Sequence, residues 1–303
     1  MTHLYMNGAF PMSLIITGAS GELGRRTAEL LLETGGVDPA DVVLVTRSPG
    51  KLAGLATRGA QVRRGDFDDP ATLPGAFAGA TRVLIISTTE LGSRVTGHIA
   101  AVEAAREAGA RLIAYTSIPN PARNPAPVVP DHAKTEEAIA ASGVPYTFLR
   151  NSLYSELWRA MMEAPGALAS GELVYNAGDG AIANVSREDA AAAAAAVLAG
   201  GDEHAGKAYD LTGPELLTGP QLADLYAWVG ARPVKATPVD DPAMAAFMVA
   251  QGLPEDAAEI WAAMGKAIRE GALNQVTGDV ERLTGRKPAS VRQVLKAAGV
   301  GLS

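Results

Sequence analysis

The sequence predicts an α/β fold, a doubly wound parallel sheet followed by a smaller, mainly helical C-terminal region. Three observations predict it. Short apolar runs alternate with helical patterns through the first half of the chain. A turn with glycines at three-residue spacing joins the first run to the first helix. From about residue 220 onward the pattern is helical and amphipathic.

The strand candidates, in order, are "SLIITG" (13–18), "DVVLVTR" (41–47), "AQVRRGD" (60–66), "RVLIIST" (82–88), "RLIAYTS" (111–117) and "PYTFLRN" (145–151). The runs at 14–16, 42–45 and 83–86 are apolar without alternation, the pattern of strands covered on both faces. Helical spacing fills the intervals 22–34, 70–77, 93–108 and 131–142. Right-handed crossovers between such units give a Rossmann-type sheet. Between the fifth strand and the next helix lies "PNPARNPAPVVP" (119–130), whose five prolines exclude it from a sheet interior. It reads either as a stiff connector or as a loop flanking a ligand at the carboxyl end of that strand. The helix over 187–199 opens with "SRED", so Ser186 is placed to cap it and Asp189 reads as structural.

The C-terminal helices are "GPQLADLYAWV", "DPAMAAFMVAQGL", "PEDAAEIWAAMGKAIREGAL" and "SVRQVLKAAGV". Met244, Met248, Trp261 and Met264 recur there at helical spacing, as packing or as the wall of an acceptor pocket. The expected organisation is an N-terminal extension over 1–12, a dinucleotide-binding domain over 13–155 and a smaller substrate or cap region over 156–303. Some segments of that last region are expected to return to the sheet.

Composition excludes several classes of function. The chain has 303 residues and no cysteine, which rules out disulfides and thiolate chemistry and points to the cytoplasm. Its longest strongly apolar stretch, "AAAAAAAVLA" at 190–199, is too short to span a bilayer, which needs roughly 20 apolar residues. Residues 1–150 carry 14 basic and 14 acidic side chains; residues 151–303 carry 12 and 19, which supplies the whole net charge of −7. No basic stripe offers itself to nucleic acid, and the acidic half favours a neutral substrate. The four histidines (His3, His98, His132, His204) are scattered, so no metal site is expected.

The stretch "TGASGELG" (17–24) carries the clearest chemistry. Glycines between a strand and a helix let a pyrophosphate approach the backbone, and the helix start presents N–H groups and a positive dipole end to it. Gly18, Ser20, Gly21, Glu22, Leu23 and Gly24 are the candidates for that contact. At the end of the second strand an acid holds the ribose hydroxyls of NAD, whereas an arginine accommodates a 2′-phosphate. Here Arg47 stands at that point with Lys51 one turn on, so NADP(H) is the expected cofactor, with NAD(H) also admissible. Read without that context, Arg47 is an ordinary solvated arginine. Asp66 and Phe67 close the third strand and border the adenine, with Asp66 able to accept from its amino group.

None of the seven tyrosines is followed by lysine four positions on. The Tyr-x-x-x-Lys pair, in which the lysine lowers the phenol pKa for alcohol–ketone chemistry, is therefore missing. The nearest case, Tyr146 with Arg150, lies in a strand, where such positions are about 13 Å apart.

Taken together, "TGASGELG", "TRSP", "GDFDDPATL", "YTSI", "DHAKTEEAIAASGVPYTFLRNSLYSE" and "NVSREDAAAAAAAVL" resemble the NmrA-like group of atypical short-chain dehydrogenases. The similarity is greatest to its bacterial NAD(P)H:quinone oxidoreductase (type 2) and triphenylmethane reductase branch, and it runs from about 13 to 295. Its most specific pieces are H-x-x-T-E (His132, Thr135, Glu136) and L-R-N-x-x-Y (Leu149, Arg150, Asn151, Tyr154). The resemblance implies an NADPH-dependent reductase that lacks the Tyr–Lys pair and acts on a small electrophile such as a quinone. The chain departs from the pattern in its proline-rich loop and in Leu153, which bears on acceptor shape.

A quinone takes hydride readily, so few side chains are needed beyond those that align it. Ser87 and Thr88 are expected to edge the cofactor, and Thr116 and Ser117 to lie near the nicotinamide ribose. Asn151 and Tyr154 orient the carboxamide or the acceptor carbonyl. His132 is a hydrogen-bond donor or a packed histidine, and Lys134 a solvated charge. The expected assembly is a monomer or homodimer. Two other readings stay open: a dinucleotide-binding redox sensor without turnover, and a biosynthetic reductase or isomerase.

Overall fold

The computed structural model describes residues 12–89, 94–163, 168 and 170–300. The expected extension (apart from Met12), His3 and the first residue of the 93–108 helix lie outside them.

The chain opens with β1 (Leu14–Ile16), α1 (Glu22–Glu33), β2 (Val42–Thr46), a one-turn α2 (Ala53–Ala56), β3 (Gln61–Arg64), α3 (Leu73–Phe77) and β4 (Arg82–Ile85). There follow α4 (Arg94–Glu107), β5 (Leu112–Ser117), α5 (Val129–Ala141), β6 (Tyr146–Asn151), α6 (Glu156–Glu163), β7 (Glu172–Tyr175) and β8 (Ala181–Ile182). The remainder comprises α7 (Arg187–Gly200), β9 (Lys207–Leu211), β10 (Leu217–Thr218), α8 (Gly219–Gly230), β11 (Lys235–Pro238), α9 (Asp241–Ala250), α10 (Glu255–Arg269), α11 (Asp279–Thr284) and α12 (Val291–Ala297).

Seven strands form one sheet in the order β3-β2-β1-β4-β5-β6-β9. The ladders β1–β2, β1–β4, β2–β3 and β4–β5 all run parallel. The strand order reverses between β1 and β4, which opens a crevice at the carboxyl ends of these strands. All six expected strands are present. The seventh, β9, has the sequence KAYDL with two exposed residues at its start, too weak a pattern to stand out by period.

Contacts group the chain into two compact units. The first comprises the residues up to Tyr115 with Glu137–Thr147 and Ala194–Lys207; the second comprises Thr116–Glu136, Phe148–Ala193 and the residues from Ala208 onward.

In the first unit, β1 and β2 are buried along their whole length, and α1 turns Leu23, Thr27, Ala28 and Leu31 inward. The Arg82 guanidinium donates to the carbonyls of Leu198 and Ala199 at 2.7 and 2.8 Å, closing the last turn of α7 with a cation.

The second unit has several apolar clusters. One joins Trp158, Met162, Leu222, Tyr226 and Leu295; another joins Met244, Met248, Ala258 and Ala262. Small two-stranded pairs, antiparallel β8–β10 and parallel β7–β11, add to the expected helices. The proline-rich segment packs within this unit: Ile118, Ala126 and Val129 meet Ala267 and Ala272. Asn124 is buried there, donating to the Pro119 carbonyl and accepting from the Ala126 amide, both at 3.1 Å. Ser186 caps α7 as expected, accepting from the Asp189 amide at 2.9 Å and donating to its carboxylate at 2.6 Å. Asp189 is fully buried, accepts from the Arg286 guanidinium and the Ala289 amide, and is structural.

Candidate functional site

The glycine turn is built for close approach. Gly18 adopts φ +60, a left-handed conformation that side chains disfavour. Gly21 is the N-cap of α1 and brings no side chain to cap it, so the helix start keeps its donors and its positive end for an anion. Gly24 serves packing: a Cβ there would sit 2.6 Å from the Gly18 carbonyl oxygen and 2.9 Å from the Ala19 Cα. The turn is pinned to its neighbours. The Thr17 hydroxyl donates to the Leu84 carbonyl at 3.1 Å and accepts from the Ile86 amide at 3.0 Å. Thr46 donates to the Ser20 hydroxyl at 2.8 Å.

At the carboxyl ends of β1 to β4 lies a cavity of about 300 Å³. Of the candidate cofactor residues, Gly18, Ser20, Gly21, Arg47, Asp66, Phe67, Ser87 and Thr88 line it; Glu22, Leu23, Gly24 and Lys51 do not. Lys51 offers its backbone carbonyl to Arg25 at 2.7 Å. Arg47 faces Asp68, another lining residue, at 3.6 Å, and the two side chains are 62% and 69% exposed. Such a pair is screened and worth little.

Two further residues, Arg94 in the wall of the cavity and His98 behind it, carried no signal in the sequence. His98 is fully buried and accepts from the Thr88 amide at 3.2 Å, while Arg94 donates to the Thr88 carbonyl at 3.0 Å. The segment after β4 is thus held by both backbone polar groups of Thr88. His98 also meets the Phe67 and Tyr115 rings edge-on, at 6.0 and 5.7 Å between centroids. Gly97 makes room for Phe67, whose Cβ would lie 2.9 Å from an added methyl. A lone histidine on an alanine-rich helix gives no hint of these partners.

The other candidates belong to the second unit. Thr116 and Ser117 are buried at the end of β5, and His132 is buried near the start of α5. Asn151 and Tyr154 are brought together, the Asn151 amide donating to the Tyr154 hydroxyl at 3.0 Å. The Ser117 hydroxyl and the Asn151 carbonyl oxygen are buried without a hydrogen-bond partner. Buried polar atoms of that kind call for a ligand or water. Burial pushes the Tyr154 phenol above its ordinary value; the Asn151 hydrogen bond and the Arg187 guanidinium, 5.1 Å over its ring, oppose that shift. Tyr154 is accordingly a protonated hydrogen-bond donor at neutral pH. The two most specific motif pieces are joined by a forked ion pair, Arg150 donating to Glu136 at 3.0 and 2.7 Å. Lys134, between His132 and Glu136 on α5, is exposed.

A second cavity, of about 60 Å³, lies wholly within this unit and is almost entirely apolar. Trp158, Met161, Tyr175, Met244, Trp261 and Met264 are among its walls, whereas Met248 is buried in the adjoining packing cluster. The walls are braced by Asn176, which donates to Asp241 at 2.8 Å and to the Ala262 carbonyl at 2.7 Å. Arg269 forks onto Asp241 at 2.9 Å, and these hydrogen bonds hold the Asp241 carboxyl below the usual range. Among the described residues, no group of three or more His, Cys, Asp or Glu side chains is placed to hold a metal, and no helix is long and apolar enough to cross a membrane.

A family model described as NAD(P)H-binding matches residues 18–200. Quinone oxidoreductase 2 of Escherichia coli (strain K12) is 35% identical over 280 residues, covering 92% of this chain and 96% of the relative. The crystal structure of an Escherichia coli NADPH-dependent quinone oxidoreductase complexed with NADPH aligns with a TM-score of 0.89, covering 94% of this chain and 99% of that one at 35% identity. The triphenylmethane reductase of Citrobacter sp., complexed with NADP(H), aligns with a TM-score of 0.85 at 34% identity, over 94% of this chain and all of that one.

The glycines of the turn have separable roles. Gly24→Ala forces its methyl into backbone and should cost about 1–3 kcal/mol of stability, read as a lowered urea midpoint. At Gly21 the nearest atom to an added Cβ is the Gly18 oxygen at 3.3 Å. Gly21→Ala should therefore cost under about 1 kcal/mol of stability yet, if the helix start takes the pyrophosphate, weaken dinucleotide binding about tenfold or more, because the methyl would stand in its path.

Proposed function

The chain belongs to the NAD(P)H-binding family, and on that premise we propose that it is an NADPH-dependent oxidoreductase whose acceptor is a quinone or a similar electrophile. The observation that carries the reading is the cleft at the strand ends, where an uncapped helix start and Arg47 line one cavity. Its glycines leave room that side chains would fill, which is the fit a dinucleotide requires. The quinone acceptor is drawn from the similarity to the Escherichia coli enzyme over nearly the whole of both chains.

In this reading the start of α1 holds the pyrophosphate and Arg47 forks onto the 2′-phosphate. Asp66 and Phe67 border the adenine, while Ser87 and Thr88, braced by His98 and Arg94, edge the dinucleotide. Thr116, Ser117 and His132 are assigned to the nicotinamide side of the site. NADPH, when bound, supplies the hydride. Asn151 spends its amide N–H on Tyr154, which leaves its carbonyl oxygen to accept from a carboxamide. Tyr154 keeps its own O–H to donate to the acceptor oxygen as that oxygen gains charge. The proton that completes the quinol comes from solvent, because a phenol with a raised pKa gives up its own reluctantly. The apolar cavity supplies a dry wall for the acceptor ring, with Trp261 and Met264 in contact with it.

Steady-state NADPH oxidation with a panel of benzoquinones and naphthoquinones tests the function. Turnover that varies with quinone structure is expected; tight NADPH binding with no turnover across the panel would sink the reading in favour of a sensor. Arg47→Glu should weaken NADPH relative to NADH by roughly 2–4 kcal/mol, since a forked pair becomes a repulsion. Tyr154→Phe should lower kcat about five- to fiftyfold with little change in the NADPH Kd. Because burial raises the Tyr154 pKa above its ordinary value, the phenol keeps its proton through the neutral range and loses it only above the ordinary phenol range, so the ratio of wild-type to variant rates should be flat from about pH 6 to 9.

A further inference from the structure

We propose that Asp68 tunes cofactor choice by competing with the 2′-phosphate for Arg47, so that the cleft accommodates NADH as well as NADPH. The inference rests on the assignment of Arg47 to the 2′-phosphate made above. Both side chains line the same cavity, and the Arg47 guanidinium lies 3.6 Å from the Asp68 carboxylate.

The placement of that carboxylate is built into the loop that follows β3. Asp66 accepts from the Asp68 amide at 3.2 Å with its side chain, and its own amide donates to the Thr72 hydroxyl at 2.9 Å. The Asp69 amide donates to the Asp66 carbonyl at 3.1 Å, and its carboxylate pairs with Arg64 at 3.6 Å. Of the three acids in "DFDD", one closes the turn, one is engaged by Arg64, and only Asp68 is aimed at Arg47.

Two consequences follow for a dinucleotide. A 2′-phosphate that reaches Arg47 competes with Asp68 for the guanidinium and sits beside a carboxylate of like charge. A ribose without the phosphate meets the undisturbed pair, whose carboxylate accepts a hydrogen bond from the 2′-hydroxyl; NAD sites make that contact with an acid at the end of the second strand, and Asp68 makes it from the loop after β3. Asp68 thereby lowers NADPH affinity and supports NADH affinity, bringing the two closer together. The high exposure of both side chains makes the effect moderate and dependent on salt.

Fluorescence titrations of NADPH and NADH against the wild type, Asp68→Asn, Asp68→Ser and Arg47→Ala, at low and at high salt, test the proposal. Both Asp68 variants should tighten NADPH about three- to tenfold at low salt, and leave NADH unchanged or weaken it up to about threefold. The gain should shrink at high salt. NADPH affinity that is unchanged or weaker in both Asp68 variants would overturn the role of Asp68, provided that Arg47→Ala still loses NADPH more than NADH. Equal losses of both dinucleotides in Arg47→Ala would instead overturn the assignment of Arg47 itself.

Discussion

A parallel sheet delivers the carboxyl ends of its strands to a single edge, and the helix that follows β1 must start there. That geometry places uncapped N–H groups and a positive dipole of about half a charge beside the loops after β2, β3 and β4. The close packing of Gly24 on the Gly18–Ala19 backbone makes this possible, because any larger residue would push the helix off the turn. The cavity, Arg47 on its rim and the braced Thr88 segment are all arranged around that contact.

Electrostatics in the first unit are correspondingly graded. The turn proposed to cradle the phosphate is made of backbone, which cannot be neutralised, while the Arg47–Asp68 pair is exposed. A dinucleotide site of this kind takes its affinity from fixed dipoles and its selectivity from mobile charges at the rim. Selectivity can then drift by single substitutions without disturbing the turn.

The second unit follows a different logic. Several of its polar side chains meet in pairs: Asn151 with Tyr154, Glu136 with Arg150, Asn176 with Asp241. Burial raises the Tyr154 phenol and so makes it a donor rather than a base, which suits an acceptor that needs alignment more than proton abstraction. Around the apolar cavity, methionine and tryptophan side chains offer a polarizable wall able to adjust to differently shaped rings. The sequence has no Tyr-x-x-x-Lys spacing, which fits the proposed electrophilic acceptor, since such an acceptor makes little demand on acid catalysis.

Much of this could be read directly from the chain. The apolar runs located six strands, the glycine spacing located the turn, and the position of Arg47 after the second strand identified the rim, because each depends on residues adjacent along the backbone. Ser186 capping α7 is legible for the same reason. What only the tertiary structure decided are pairings between distant segments: Asp68 opposite Arg47, Glu136 under Arg150, His98 beneath Thr88, and β9 joining the sheet. Local period and covalent spacing determine which residues form an element and which side chain ends a strand. Which of the three chemically equivalent acids in "DFDD" faces a given arginine depends on loop closure and packing, which no local pattern encodes.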